Sequence, residues 1–87
     1  MPSKTFLIVK INASDMDRLD ETIEAVKRIK NGDVKDVKRE PIGFGVEIIK
    51  AGITVDSSDE RLVEKVLNEL NGLKEVESAE LEGMTLL

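Results

Sequence analysis

The chain has 87 residues, of which 36% are charged, with a net charge of -5 and no cysteine or histidine. A chain of this length builds one small core and leaves little room for a deep catalytic cleft, and its negative field argues against nucleic acid and anionic membranes as partners. The missing residue types exclude thiolate nucleophiles, disulfides, imidazole bases and the usual zinc ligands, so we expect a binding module with no catalytic residue, cofactor or metal.

The first predicted element is a strand over residues 5–11, with an unbroken apolar run at 6–9. A short run of β-branched and aromatic residues is typical of a strand buried on both faces or nearly so, which places it centrally in a sheet. The run is too short for a signal peptide, and no later stretch is long enough to span a bilayer. We therefore expect a cytoplasmic protein that does not enter the membrane.

A helix is predicted after the turn at residues 12–15, which supply N-cap chemistry. Its first turns contain acidic side chains and its last turn contains basic ones, which matches the helix dipole. Asn31 and Gly32 end the predicted helix. Its apolar residues recur at steps of three and four, as on one face of a helix: Met16, Leu19, Ile23, Val26 and Ile29.

Two further strands are predicted on either side of a short turn. Residues 33–39 carry only Val34 and Val37 among alternating charges, which is typical of an edge strand that water reaches on one side. Residues 46–55 form a second strongly apolar run, and we predict them as the other central strand.

The last two predicted elements are a helix and a short strand. Ser57 and Glu60 form a capping box that opens the helix, its apolar stripe lies within residues 62–70, and a second Asn-Gly pair ends it. From Val76 onward the pattern predicts a short edge strand, which Gly83 interrupts before an apolar terminus.

The order strand, helix, strand, strand, helix, strand predicts an α+β fold, the ferredoxin-like βαββαβ sandwich, with a four-stranded antiparallel sheet and two helices on one face. Right-handed crossovers place the first and third strands in the centre and the second and fourth at the edges. No linker or low-complexity segment divides the sequence, so residues 1–87 are expected to form a single domain.

Several functions of this fold are excluded by the residues that the sequence lacks. RNA recognition needs stacking aromatics on the central strands, and the two aromatics here are Phe6 and Phe44. Metal carriers need a Cys-x-x-Cys pair in the first loop, and acylphosphatase chemistry needs an arginine there, whereas Arg18 falls inside the predicted helix. Paired carboxylates on helix faces and edge strands are interpreted as solvated surface.

Residues 40–46 place one large apolar side chain between two glycines. Pro41 fixes its own φ, while Gly43 and Gly45 allow positive φ and close backbone approach on both sides of Phe44. Two interpretations stay open. Phe44 either begins the third strand and points into the core, which the residues alone favour, or lies on a docking loop that presents it to a partner.

Residues 39–46, Arg-Glu-Pro-Ile-Gly-Phe-Gly-Val, resemble the Glu-Pro-Ile-(Ala/Gly)-Phe-Gly-(Leu/Ile) signature of the beta subunit of translation elongation factor 1, in the archaeal type of this guanine nucleotide exchange factor. The resemblance implies an exchange domain that binds the alpha subunit, the GTPase that delivers aminoacyl-tRNA, and accelerates release of GDP so that GTP can enter. It implies no bond chemistry and hence no enzyme. The implied docking residues are Pro41, Ile42, Gly43, Phe44 and Gly45.

The final residues are the second predicted contact with the partner, because Met84, Thr85, Leu86 and Leu87 are mostly apolar on a highly charged protein. Eukaryotic relatives in the resembling family carry a lysine next to the last residue that reaches the partner's magnesium site. Here that position is Leu86. The resemblance therefore implies that the final residues disturb the partner's magnesium site by their bulk and not by a lysine charge. The alternative is that these apolar side chains pack back on the sheet edge.

The predicted strand order places the Phe44 turn and the final residues at opposite ends of the sheet, about 20 Å apart for strands of six or so residues. A different function also stays open: a small regulatory or ligand-binding ferredoxin-like module that dimerises through its sheet and uses the glycines as a small-molecule loop. Binding to the GTPase, or a change in its rate of GDP release, distinguishes the two functions.

Overall fold

The computed structural model describes residues 3–59 and 61–87. Its elements are, in chain order, β1 (Lys4–Ala13), a 3-10 turn (Met16–Arg18), α1 (Leu19–Lys27), β2 (Asp33–Gly43), β3 (Val46–Asp56), α2 (Arg61–Asn71) and β4 (Val76–Leu86). The strands form an antiparallel sheet in the order β2-β3-β1-β4. The predicted ferredoxin-like α+β fold is confirmed, with β1 and β3 in the centre and β2 and β4 at the edges.

The two sides of the sheet differ in burial. The odd-numbered side chains of β1 are buried, and the even-numbered ones are half-buried or exposed. Odd-numbered residues of β3, from Ile49 onward, lie on the same side and are buried as well. These rows form the core together with Val26 of α1 and with Val66 and Leu70 of α2. We call this side of the sheet the helix face and the other side the open face.

α1 is shorter than the predicted helix, whose apolar stripe covers residues 16–29. The Asp15 carboxylate accepts a hydrogen bond from the backbone N–H of Asp17 at 2.9 Å. This cap opens the 3-10 turn, and the α-helix begins only after it, at Leu19. A short polar side chain that bonds its own backbone two residues on favours a turn over a regular helical start.

The connection from α1 to β2 is held by a side chain of α2. The Glu69 carboxylate accepts hydrogen bonds from the backbone N–H groups of Lys30 and Asn31 at 2.9 to 3.0 Å. Because these N–H groups are satisfied outside a helix, α1 ends at Lys27, before the predicted stop at Asn31 and Gly32.

α2 begins at Arg61, whose N–H donates to the Asp59 carboxylate at 3.0 Å. The predicted capping box paired Ser57 with Glu60, and Glu60 lies outside the described residues. The Ser57 hydroxyl donates to the carbonyl of Ser3 at 2.7 Å. Ser57 therefore ties the residues after β3 to those before β1.

Both edge strands are longer than predicted. β2 continues through the predicted loop to Gly43, and β4 continues past Gly83 to Leu86, so the predicted short length of the last edge strand is wrong. The backbones of β2 and β4 pair with β3 and β1 over most of their length, and this pairing does not require an apolar alternation. An edge strand also tolerates Pro41, which lacks a backbone N–H.

Gly32 lies against the core where the chain enters β2. A Cβ added there would lie 2.6 Å from Cγ2 of Ile53 and 3.0 Å from Cγ2 of Val66, both on fully buried side chains. We predict that Gly32→Ala lowers the free energy of unfolding by about 1–3 kcal/mol, since overpacking forces neighbouring side chains out of place. Urea denaturation measures the change. Gly83→Ala is the matched control, because its added Cβ meets nothing closer than 3.9 Å; equal stability of the two variants would contradict the tight packing at Gly32.

Candidate functional site

β2 and β3 are joined by a two-residue turn, Phe44 and Gly45. Both residues have positive φ, 57° and 76°, and Gly43 before them has a φ of 109°. Two successive positive φ values are the signature of a type I′ hairpin turn, whose twist matches that of the flanking strands. Such turns favour Asn-Gly, so the aromatic residue at the first position is held in a backbone conformation that costs about 1–2 kcal/mol.

The Phe44 side chain is fully exposed, with a relative accessibility of 106%. The interpretation that Phe44 begins the third strand and points into the core is therefore wrong. The turn lies beyond the end of the sheet, where Cβ atoms added at Gly43 and Gly45 would meet nothing within 4 Å. The ring contributes nothing to the core and is accessible to another molecule.

Two more exposed apolar residues lie within two positions of Phe44 in the hairpin. Ile42 and Val46 flank it and are exposed as well, and we call Ile42, Phe44 and Val46 the tip cluster. All five docking residues predicted from the sequence lie in this hairpin. Sequence reasoning missed Val46 by treating it as the start of a buried strand, although the signal was its place directly beside the turn. Exposed apolar side chains that lie close together are typical of interaction sites.

The final residues pair with β1 through their backbone but expose their apolar side chains. Residues 84–86 lie in register with β1, and the N–H of Leu87 donates to the carbonyl of Lys4 at 2.8 Å. Leu86 and Leu87 are 72% and 69% exposed, and Met84 is exposed as well. The alternative interpretation, packing on the sheet edge, thus describes the backbone but not the apolar side chains.

The two predicted contact regions lie at opposite ends of the sheet. Thr5 of β1 lies opposite both Val55 of β3 and Leu86 of β4, whereas the Phe44 turn precedes Val46 at the other end of β3. The nine residue steps from Val46 to Val55 span roughly 30 Å of extended strand. The separation of about 20 Å expected from the sequence is too short, because these strands have ten or eleven residues.

A lysine on the open face bridges the two edge strands. Nζ of Lys50, on β3, lies 2.9 Å from Oε1 of Glu82 on β4 and 3.0 Å from Oε2 of Glu40 on β2. Hydrogen bonds from the ammonium to Glu82 and Glu40 raise the pKa of Lys50 above its usual value. Sequence reasoning missed this contact, because the three residues meet only through the order of the strands in the sheet.

A second lysine lies at the end of the sheet that carries the final residues. Lys4 is the register partner of Asp56 and accepts the Leu87 hydrogen bond through its carbonyl. Hydrogen bonds from the backbone and side chain of Ser58, with a smaller contribution from the Lys4 charge, lower the pKa of Asp56. The lysine nearest to the final residues in the sequence is Lys74, so only the fold reveals Lys4 at this end.

An open groove of about 630 Å³ runs along α1 and the connection between α2 and β4. Its two hydroxyl groups already make hydrogen bonds within the fold, because Ser14 donates to the carbonyl of Lys74 at 2.9 Å and Thr22 to that of Glu75 at 3.1 Å.

Across residues 3–59 and 61–87, no three acidic side chains are grouped to hold a metal ion. The helices of that same part of the chain are too short and too polar to cross a membrane.

Phe44→Asn is predicted to raise the free energy of unfolding by about 1 kcal/mol, because asparagine tolerates the left-handed backbone at the first position of a type I′ turn. Urea denaturation measures the change. Phe44→Ala is the control: it also removes the ring but lacks the short polar group that lets asparagine tolerate positive φ, so its stability stays close to that of the unsubstituted protein. A large loss of stability in either variant would show that the ring packs against the fold.

Comparison with solved structures agrees with this architecture. The C-terminal domain of the MgtC protein from Mycobacterium tuberculosis matches with a TM-score of 0.53 over 99% of this chain and 88% of that one, at 10% sequence identity. At this identity the likeness shows the fold alone.

Comparison with protein sequences is more specific. Elongation factor 1-beta of Methanosphaerula palustris is 31% identical over 77 residues, which are 86% of this chain and 91% of that protein. Elongation factor 1-beta of Methanospirillum hungatei is 35% identical over 76 residues, which are 85% of this chain and 89% of that protein. The family described as EF-1 guanine nucleotide exchange domain matches residues 8–87 and so includes both the Phe44 hairpin and the final strand. With these matches, the chain belongs to the EF-1 guanine nucleotide exchange domain family of translation elongation factors.

Proposed function

We propose that this chain, with residues 1–87 acting as one exchange domain, binds the alpha subunit of elongation factor 1 and accelerates its release of GDP. That subunit is the GTPase that delivers aminoacyl-tRNA. The observation that carries the proposal is the Phe44 ring, which is fully exposed on a strained turn. Membership of the exchange-domain family supports guanine nucleotide exchange as the activity, and the exposed ring is the surface that the GTPase would bind.

Phe44 serves as the docking anchor. Large aromatic side chains that become buried at the centre of an interface are frequent hot spots of binding. The turn fixes the backbone of Phe44 before the partner arrives, so little conformational freedom is lost on binding. Ile42 and Val46 extend the apolar contact on both sides of the ring. Backbone strain at a fully exposed residue is typical of a functional site.

The final residues form the second contact. Met84, Leu86 and Leu87 would reach the nucleotide-binding domain of the GTPase and disturb its magnesium and phosphate site by their bulk. Their exposure supports this role, since apolar side chains on a sheet edge leave water when a partner covers them. Leu86 stands where eukaryotic relatives carry a lysine, and Lys4 on the adjacent strand provides a cation at the same end of the sheet.

The proposed mechanism needs no bond chemistry. An exchange factor binds the nucleotide-free GTPase more tightly than the GDP-bound form, and GDP must therefore weaken binding of the factor by the same ratio. Two separated contacts suit this requirement. The Phe44 hairpin supplies affinity that does not depend on the nucleotide, while the final residues compete with the bound nucleotide and its metal ion.

Phe44→Ala is expected to slow GDP release severalfold when the concentration of the exchange factor is limiting. Loss of the anchor raises the factor concentration that gives the half-maximal rate. Release of labelled GDP from the GTPase, followed over a range of factor concentrations, measures this effect. Met16→Ala is the matched control, since Met16 is also an exposed apolar residue but lies on the 3-10 turn, outside both contacts. If the unsubstituted chain leaves GDP release unchanged, the proposed function is wrong, and sedimentation would then test the module that dimerises through its sheet.

Replacing Leu86 and Leu87 together by serine is expected to slow the maximal rate of GDP release while binding to the GTPase survives. The double substitution is preferable to truncation, because removal of residues 85–87 would also remove backbone pairs with β1 and the hydrogen bond to Lys4. Binding is measured by titration of the nucleotide-free GTPase. An unchanged maximal rate with intact binding would remove the final residues from the mechanism.

A further inference from the structure

β4 presents a row of apolar side chains on the helix face along its whole length. Each residue of this row lies opposite an odd-numbered, buried residue of β1. The nearby glutamates lie on the other side of the sheet: Glu80 is opposite Lys10 on the open face, and Oε1 of Glu82 lies 2.9 Å from Nζ of Lys50 there. The row consists of Val76, Ala79, Leu81, Met84 and Leu86.

A β-bulge keeps the later part of this row on the helix face. Leu81 and Gly83 lie opposite consecutive residues of β1, so Glu82 between them is an extra residue in the ladder. An insertion of one residue reverses the faces of the side chains that follow it. Met84 and Leu86 therefore lie on the same face as Leu81, whereas simple alternation along the sequence would place them on the opposite face.

Burial along the row decreases toward the end of β4. Ala79 is 8% exposed, and the exposed fraction rises to 37% at Leu81, 59% at Met84 and 72% at Leu86. The side-chain amide of Asn71, the last residue of α2, is hydrogen-bonded to the carbonyl and N–H of Ala79 at 3.1 and 3.0 Å. The helix layer thus covers the start of the row and leaves its end open. We call Leu81, Met84 and Leu86 the β4 shelf.

The size of the β4 shelf indicates what kind of contact it can make. Its side chains offer on the order of 300 Å² of apolar surface, a size at which exposed patches are often functional. A specific interface between two proteins buries about 800 Å² on each side, so the shelf alone is too small to hold two copies of this chain together. It suits one part of a larger contact, and the Phe44 hairpin provides another part.

The shelf is also continuous with the second contact of the proposed function. Met84 and Leu86 belong to both, and Leu81 extends the same row three positions back along β4, roughly 10 Å from Met84. A partner that covers Met84 and Leu86 from the helix face therefore meets Leu81 as well.

We propose that the GTPase covers the β4 shelf from the helix face, and that Leu81 is a further residue of the second contact. The inference rests on the proposed function, because it names the face of β4 that the same partner meets. The facing surface of the GTPase must be apolar, since the shelf offers no charge to pair with. Thr85 lies opposite Phe6 on the open face and is therefore outside this contact, although it stands between two members of the shelf.

Leu81→Ser tests the inference. It is expected to lower the maximal rate of GDP release about two- to fivefold, because one apolar side chain is lost from the contact that competes with GDP. The concentration of factor at the half-maximal rate should change little, since the Phe44 hairpin governs it. Met84→Ser should have the same effect at a more exposed position, so the test does not depend on the folding of one variant.

Two controls on the open face separate the two sides of the sheet. Ile8→Ser is the matched control, because Ile8 is also 37% exposed but lies on the open face. Thr85→Gln adds bulk to the open face at the same point along β4 as the shelf. Both variants should release GDP at the rate of the unsubstituted chain.

Methyl NMR of the labelled chain, titrated with nucleotide-free GTPase, reads the contact without measuring exchange. The methyl signals of Leu81 and Met84 should shift, and those of Ile8 should keep their positions. Shifts at Ile8 in place of Leu81, or full exchange by both serine variants of the shelf, would overturn the inference and leave the proposed function intact.

Two remaining outcomes also have distinct meanings. If the Leu81 signals shift as the concentration of the chain alone is raised, a second copy covers the shelf and the inference is wrong. If the unsubstituted chain leaves GDP release unchanged, the proposed function is wrong, and the inference about Leu81 is wrong with it.

Discussion

The pairing of β1 with both of its neighbours is the interaction on which the rest of the structure depends. Its five odd-numbered side chains are all buried, and its backbone joins the β2-β3 hairpin to β4. Because β1 is antiparallel to both neighbours, β3 and β4 end at the same end of the sheet. The hairpin turn must then lie at the far end from the final residues. The positions of both contact regions thus follow from the way β1 pairs with β3 and with β4.

The sequence was sufficient to predict the order of the elements, and most clearly the two helices and the two central strands, because these four have a periodic or continuous apolar pattern. The lengths of β2 and β4 could not be predicted in this way, since edge strands pair through their backbones while their side chains face water. The end of α1 was also not predictable, because the Glu69 carboxylate that satisfies the following N–H groups lies on a helix far along the chain.

The place of the docking motif was predicted, but the exposure of Phe44 was not decided by the residues. An aromatic between two glycines fits a buried strand as well as a turn, and the positive φ of both Phe44 and Gly45 is what decides between them. The contact of Lys50 with Glu40 and Glu82 was beyond sequence reasoning for another reason. It depends on how the four strands pair and on a bulge, and neither can be predicted from the residues that surround Lys50 in the sequence.

The length of the sheet gives a physical reason for contacts at its two ends. The molecule measures 45 × 22 × 16 Å, and a hydrogen-bonded ladder cannot shorten without breaking its bonds. In the proposed function, the GTPase surfaces that meet the hairpin and the final residues must therefore adopt the separation that the sheet imposes. In the proposed function a fixed separation supports exchange, because a factor shifts the equilibrium only by its difference in affinity for the two states. A flexible connection between the contacts would let the final residues move away from the nucleotide site while the hairpin stays bound, and the difference in affinity between the nucleotide-free and GDP-bound forms would be smaller.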